Sequence, residues 1–531
     1  MGFPHTVVVI FHAIDADSRV RALLCKAGMR TSLWGTLRVS GLATFTLPLL
    51  GAAALLVAAC GTDVGDDPGD DEPVPRATWY QDVAPIVSKH CMECHQEGGI
   101  APFELTTYDM AYDNATRMLD KIESGQMPPF DAREEPDCTP RFGWKDDPRL
   151  SPAEIDTIKV WIEDGRAEGT IAEVPDPPSI ELPNVSQTLK PVVPFTASGD
   201  RDQFICYVLD PKLAAGSWLT GLQIRPGNND VVHHVVLTEL MPGAEHDATV
   251  AQRGIGIPWD CSQTATPGSF VVNIWTPGNQ PMQTSQDLAV PILAGAKLVM
   301  NIHYHPANRV HQPDATEVDI RTSSTWPRKM YFVGAFGNSF QSPELLADPD
   351  DRVANTPEFR IPAGAADHNE HMRITIPQLG DLQNVQLYSA NPHMHMIGTH
   401  ISATIERPAA RGNDPQNECL ANGGWNFDWQ RTYIYDTTLD KLPTLQAGDV
   451  LDLKCKWNNT MANPFVQRAL ADAGLPAPVP INLGEGSLDE MCLEIFGLAV
   501  DAPAMPTSRT MPTVDQLPME LMNAMRVPAV R

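Results

Sequence analysis

Basic residues are scarce in this chain. Lys and Arg together number 38 against 66 Asp and Glu in 531 residues, a formal net charge of -28 at pH 7. That deficit excludes nucleic acid as a partner, because such binding rests on Lys and Arg neutralising phosphates. Long apolar runs are lacking too. The uncharged run Leu47 to Ala59 has a rival reading as a retained transmembrane anchor, but its short apolar length and small residues at the end favour cleavage. Helical periodicity fades beyond about residue 191, which leaves β structure for the larger part of the chain. The length suffices for about three or four domains.

What is present begins with export. Residues 1–60 read as a signal peptide, with Met29 a candidate true start, since Asp15 and Asp17 before it are not signal-like. Leu56-Val57-Ala58-Ala59-Cys60-Gly61 looks like a bacterial lipobox, in which Cys60 becomes lipidated. Residues 61–76 form an acidic tether, expected to be disordered. The predicted location is therefore the bacterial cell envelope, the exported chain held by a lipid anchor to the outer membrane on its periplasmic or surface side. Export implies an oxidising compartment. Of ten cysteines, Cys25 lies in the leader, Cys60 carries lipid, and Cys91 and Cys94 belong to the motif below. Cys138, Cys206, Cys261, Cys419, Cys455 and Cys492 remain, an even number that fits three disulfides of unfixed connectivity.

Cys91-Met92-Glu93-Cys94-His95 is the c-type haem attachment signature. The two thiols add to the haem vinyl groups and His95 becomes the proximal ligand. Thioredoxin-like chemistry would want a βαβ setting, which the flanks lack. Met127, in Gly125-Gln126-Met127-Pro128-Pro129, is the expected sixth ligand; Met110 and Met118 are alternatives in a helical pattern, where Met is more often core. Ser151-Pro152-Ala153-Glu154 reads as a capping box opening a helix that buries Ile155, Ile158, Trp161 and Ile162. Residues 77–170 resemble a small class I cytochrome c domain, all-α. Residues 171–194 read as a Pro-rich linker, expected to hold this unit near the rest without fusing to it.

The remainder is rich in short alternating runs, with more length than one sandwich needs and enough for two. Three stretches carry histidines at ligand spacing. Asn391-Pro392-His393-Met394-His395 follows a strand, and residues two apart share a face, so His393 and His395 can meet one metal. In Lys297 to Pro306, His303 and His305 share a face likewise. His233 and His234 are neighbours in a strand and would normally point apart, so one metal requires a local distortion. Met491 in Asp489-Glu490-Met491-Cys492 supplies a thioether. Two imidazoles with a thioether suit copper, because Met is soft and favours Cu(I).

In this order the motifs resemble the copper type II, ascorbate-dependent monooxygenases, the family of peptidylglycine α-hydroxylating and dopamine β-monooxygenases. The resemblance covers about residues 195–500. It implies two all-β jelly-roll sandwich domains, at 195–345 and 346–503, followed by a tail at 504–531, each sandwich supplying a copper across a solvent-filled cleft. By resemblance His233, His234 and His303 bind one copper, and His393, His395 and Met491 the other, where oxygen is activated. It also implies disulfides Cys455–Cys492 and Cys206–Cys261. Cys419 has no counterpart; pairing with Cys138 would tie the two parts together. His305 is expected beside the ligands rather than among them, and His400 as a bystander. The carboxylate clamp of the peptide-amidating members is replaced by Asn391, Leu493 and Ile495, so peptidylglycine is not expected as substrate; Glu494 is a candidate partner for a cationic one.

The expected function is hydroxylation of a C–H bond of a small organic substrate with O2, using two copper ions and one covalent haem c. Electrons would come from an external donor, ascorbate or a redox protein, through the fused haem. The alternative is a non-enzymatic copper and haem electron-transfer or copper-holding lipoprotein.

Overall fold

A computed structural model describes residues 75–505, apart from 98, 100, 180, 200, 262–268, 307–308, 339–343, 379–381, 383, 485 and 487. The expected signal peptide, Cys60, most of the acidic tether and nearly all of the C-terminal tail lie outside the described residues. Among the described residues, no helix is long and apolar enough to cross a membrane.

Among the described residues the structure is predominantly β, with five α-helices. Three of these stand together at the start: Ala84–His90, preceded by a π-turn, Tyr108–Glu123 and Pro152–Glu163. Thr107 caps the second by accepting from the Met110 N–H, and Ser151 and Glu154 form the reciprocal capping box of the third. Ala111, Ala115, Met118 and Ile122 fall on one face of the second helix and meet Ile158, Trp161 and Trp79 in a small core of their own. The chain between the second and third helices leaves that core. Phe130, Ala132 and Trp144 are buried instead in the large β core. Ala132 bridges Gly423, Trp144 bridges Tyr435, and a disulfide joins Cys138 to Cys419. Gly423 has no room for a side chain, because a Cβ there would collide with the Asp131 carbonyl. The helical segment is therefore fixed to the β part by a covalent bond and two backbone bridges, not loosely held by a linker. Part of that linker is itself structured: Gln187–Leu189 pairs with Glu317–Ser323 as an edge strand.

A nine-stranded sheet organises the β part. Its path runs Gln187–Leu189, Glu317–Ser323, Ser217–Arg225, Leu288–Ile292, Lys329–Gly337, Leu493–Asp501, Gln386–His393 and Tyr433–Ile434, with Met282–Gln283 beside the third. The centre is Lys329–Gly337, parallel to Leu288–Ile292 and antiparallel to Leu493–Asp501. The regions expected as two sandwiches thus share one continuous sheet. A five-stranded sheet, Trp259–Asp260, Gln203–Leu209, Lys297–Tyr304, Val232–Leu240 and Ser269–Trp275, meets it through Ser269–Trp275. A four-stranded sheet, His368–Thr375, Val450–Trp457, Gly398–Glu406 and Asn417–Gly424, meets it farther along. Hydrophobic residues of all three sheets form one core.

Candidate metal centre

His233 is where the five-stranded sheet breaks its register. Val232 pairs with Tyr304 and His234 with His303, so His233 is an extra residue, a β-bulge. The bulge turns two consecutive histidines to one place, and the register sets His303 directly across from His234. Their Nδ1 atoms form a triangle: His233 to His234 is 3.2 Å, His233 to His303 3.3 Å, and His234 to His303 3.3 Å. An imidazole nitrogen carries either a proton or a lone pair. Of three nitrogens in mutual contact at least two are alike, so protons alone leave one contact repulsive. One cation accepts all three lone pairs. Nitrogens about 2.0–2.1 Å from a tetrahedral metal lie roughly 3.3–3.4 Å apart, which is the edge length seen. Burial, reinforced by the neighbouring imidazoles, holds His233 and His234 well below the usual histidine range, so both are neutral, the ligand form.

Around the triangle the rings are held from behind. His233 stacks on Phe427 with centroids 4.2 Å apart, and His303 on Phe204 at 4.5 Å. Asp202 reaches 3.3 Å from His303 Nε2 and accepts from His305 Nδ1 at 2.7 Å. Burial raises an isolated carboxyl, yet these two imidazoles hold Asp202 well below its usual range. His305 therefore stands beside the triangle, joined to His303 through Asp202, and not among the three converging nitrogens. Asp202 was not foreseen, because only the pairing of Phe204 with His303 brings it there.

The second pair lies where Gln386–His393 ends. His393 Nδ1 is 2.9 Å from Gln430 Oε1, and His395 Nδ1 is 3.0 Å from the Asp489 carbonyl oxygen. Both acceptors require a proton on Nδ1, which leaves each Nε2 with a lone pair. Burial pushes His393 down to about 4 and His395 to about 3, so both are neutral at pH 7. Glu490 organises the turn that carries Met491. Its carboxylate accepts from the backbone N–H of His395 and Ile397, each at 2.8 Å, and of Met491 at 3.3 Å. Burial pushes this carboxyl up to about 7 against those donors. Cys492, disulfide-bonded to Cys455, gives its N–H to Asn338 Oδ1 at 2.8 Å, and Gly337 beside it has no space for a Cβ against the Cys492 carbonyl. Met491 itself is buried.

The two histidine groups are close. The His234 and His393 rings meet edge to face with centroids 6.2 Å apart, where the resemblance implied a solvent-filled cleft. His400 takes no part; it faces Glu135 at 3.7 Å.

No family model matches the sequence. No curated protein matches it either. Among solved structures, the major capsid protein P2 from bacteriophage PM2 aligns over 61% of this chain and 99% of its own, at 9% identity and a TM-score of 0.20. Allantoicase aligns over 48% of this chain and 77% of its own, at 11% identity and a TM-score of 0.15. Likeness that slight carries no argument, and the site is read from its own residues.

The Cys-x-x-Cys-His motif opens onto a cavity of about 1320 Å³. Cys91, Cys94, His95, Met118 and Met127 line its helical side; Trp275, Gln280, Asn391, Gln430 and Ile495 line its β side. His95 is buried, with Nδ1 2.9 Å from the Phe103 carbonyl oxygen, which leaves Nε2 for a ligand bond. Cys91 and Cys94 are free, whereas Cys138–Cys419, Cys206–Cys261 and Cys455–Cys492 are all bonded. Burial pushes the two free thiols up to about 12 and about 11, so neither is a ready thiolate. These residues fit a covalently held haem. Gln280 donates to Glu93 at 2.8 Å, so the motif itself is docked on the β part. Glu494 does not reach the cavity. Its strand neighbours Ile495 and Gly497 line the wall, and Glu494 is buried on the other face, where burial raises its carboxyl well above the usual range. Placed on that other face, it cannot anchor a cationic substrate held in this cavity.

Proposed function

We propose that this chain is a copper-dependent monooxygenase that hydroxylates a C–H bond of a small organic substrate with dioxygen, its electrons entering through a c-type haem. On this reading residues 77–170 are a class I cytochrome c-like domain and the β part is a pair of jelly-roll-like sandwiches joined through their long sheet. The observation that carries the reading is the pair of distinct donor sets: three converging Nδ1 atoms in one, and in the other two imidazoles with Nδ1 tied off beside the Met491 turn.

When bound, copper and haem supply one-electron redox chemistry and dioxygen activation. The chain's residues set the conditions for it. His233, His234 and His303 would make an all-nitrogen set of three suited to holding an electron. His393, His395 and Met491 make a softer set of three, short of four, which leaves a position for a small ligand. Gln430 and the Asp489 carbonyl fix the tautomers of His393 and His395, and Glu490 fixes the turn between them and Met491. Cys91, Cys94 and His95 would hold the haem covalently and through the imidazole, and Met127, on the same cavity wall, would supply a thioether to it. Trp275 and Ile495 give the cavity wall by Asn391 an apolar character, which suits a substrate with an aromatic or aliphatic body. Three disulfides, with only Cys91 and Cys94 free among the described residues, suit an oxidising compartment, and Cys60 would anchor the exported chain to a membrane.

The test supplies copper-loaded protein with ascorbate, dioxygen and a panel of small amines, phenols and peptides. Product carrying one oxygen atom per two electrons consumed supports the reading. Copper and haem that cycle with no product from any member would instead support electron transfer as the function.

A further inference from the structure

A separate group of ligand-type side chains lies on the four-stranded sheet. His368 and Glu370 stand two apart on His368–Thr375 and so share a face; they are 2% and 1% exposed. The turn at Asp348 folds over them. Its shape is set by the Asp350 N–H, which donates to Asp348 Oδ1 at 2.6 Å, and the Asp348 N–H, which donates to Asp351 Oδ2 at 3.0 Å. Ligand atoms of Asp348, His368 and Glu370 all lie within 4.8 Å of one another. His368 Nε2 is 3.0 Å from Glu370 Oε1, and its Nδ1 is 3.2 Å from Asp350 Oδ2. Glu370 Oε1 also accepts the Arg360 N–H at 3.1 Å. Glu370 Oε2 is buried with no hydrogen-bond partner.

We propose that Asp348, His368 and Glu370 form a third cation site, which takes one divalent transition ion of the zinc type. The charge count favours a cation: three carboxylates, Asp350 included, surround one imidazole. The donor set favours zinc over calcium or magnesium, which prefer oxygen alone, because an imidazole is at its centre. The orphaned Glu370 oxygen is the atom that such an ion would satisfy.

Its place in the fold gives it a role. Glu370 pairs directly with Cys455 on the neighbouring strand, and Cys455 is bonded to Cys492, the residue after Met491. An ion here pins the 348–351 turn to the strand that backs the Met491 turn. It is a positioning site, remote from substrate, and does not depend on the proposed hydroxylase activity. The competing account is a plain ion pair of His368 with Glu370 and Asp350.

The experiment loads full-length protein with zinc chloride, removes excess by gel filtration and counts retained zinc by mass spectrometry. Wild type, Glu370→Gln and Asp348→Asn are compared, each also in a His303→Ala background to separate the imidazole triangle. The expected result is one zinc fewer per chain in both carboxylate variants, in both backgrounds, and a thermal midpoint raised by zinc only where both carboxylates are intact. Asp348→Asn, on the half-exposed turn, keeps the test decisive if Glu370→Gln fails to fold. Equal zinc content with and without the two carboxylates would overturn the site and leave the ion pair as the full account.

Discussion

His234, on the five-stranded sheet, and His393, at the end of a strand of the nine-stranded sheet, face each other with ring centroids 6.2 Å apart. One belongs to the imidazole triangle and the other to the set with Met491. Metal ions bound to the two sets would be near neighbours, with no layer of bulk solvent between these rings. The fully copper-loaded, oxidised protein should therefore show dipolar broadening in its electron paramagnetic resonance spectrum. His393→Ala should sharpen the spectrum to that of isolated copper. Two sharp, independent signals in the wild type would place the ions far apart.

Asp202 should matter to the triangle without touching its metal. It holds His303 from behind at 3.3 Å and His305 at 2.7 Å. Outer-shell carboxylates of this kind are worth roughly 10–100-fold in metal affinity. Asp202→Asn should weaken copper at the triangle by about that factor, in a competition titration against a chelator, and leave copper at His393 and His395 unaffected.

The Cys138–Cys419 disulfide spans a sequence separation of 281 and joins the helical segment to the four-stranded sheet. Its loss should cost roughly 2–5 kcal/mol, the usual range for a native disulfide. A Cys138→Ser, Cys419→Ser double variant should melt lower and be cut by protease between residues 124 and 151, where the wild type resists. An unchanged midpoint and digestion pattern would show that the two backbone bridges suffice.

How much of this was legible in the sequence depends on which contacts are local. The capping box at Ser151 forms as its local spacing implies, and the His393 and His395 rings come within 5.4 Å of each other although the strand expected to carry both ends at His393. His233 and His234 announced that a distortion was needed, since strand neighbours point apart, and the bulge supplies it. Asp202 was invisible, because its role comes from which strand lies beside Lys297–Tyr304. The shared nine-stranded sheet was invisible for the same reason: alternation shows which face is buried, not which strand is the partner. Pairing Cys419 with Cys138 was the choice that would tie the two parts together, and the structure makes that bond. Beyond that bond, the packed contact of the helical segment was not legible, because Phe130, Ala132 and Trp144 read as loop residues of one part yet are buried in the other.

Glu494 yields a pH prediction. Burial raises its folded-state carboxyl well above the usual value, so between the unfolded value and the folded one the native state holds a proton that the unfolded chain has lost. The native state then binds more protons, and stability falls as pH rises through that window. Glu494→Gln removes the dependence. Thermal midpoints measured from pH 5 to 8 should fall more steeply for wild type than for Glu494→Gln, and the variant should be no less stable at pH 7. A variant that melts lower than wild type at pH 7 would mean that Glu494 is ionised and paired.

The most direct measurement concerns Met491. Copper-loaded protein is reduced, given ¹⁸O₂ and the substrate panel, and compared with Met491→Ala, with copper counted in both and the sulfur neighbour of reduced copper read by X-ray absorption. The account predicts that wild type places one ¹⁸O atom in a product and shows a copper–sulfur contact. Met491→Ala should lose both, yet keep the copper of His233, His234 and His303. Oxygen incorporation at the wild-type level in Met491→Ala would contradict the assignment of the oxygen site to His393, His395 and Met491.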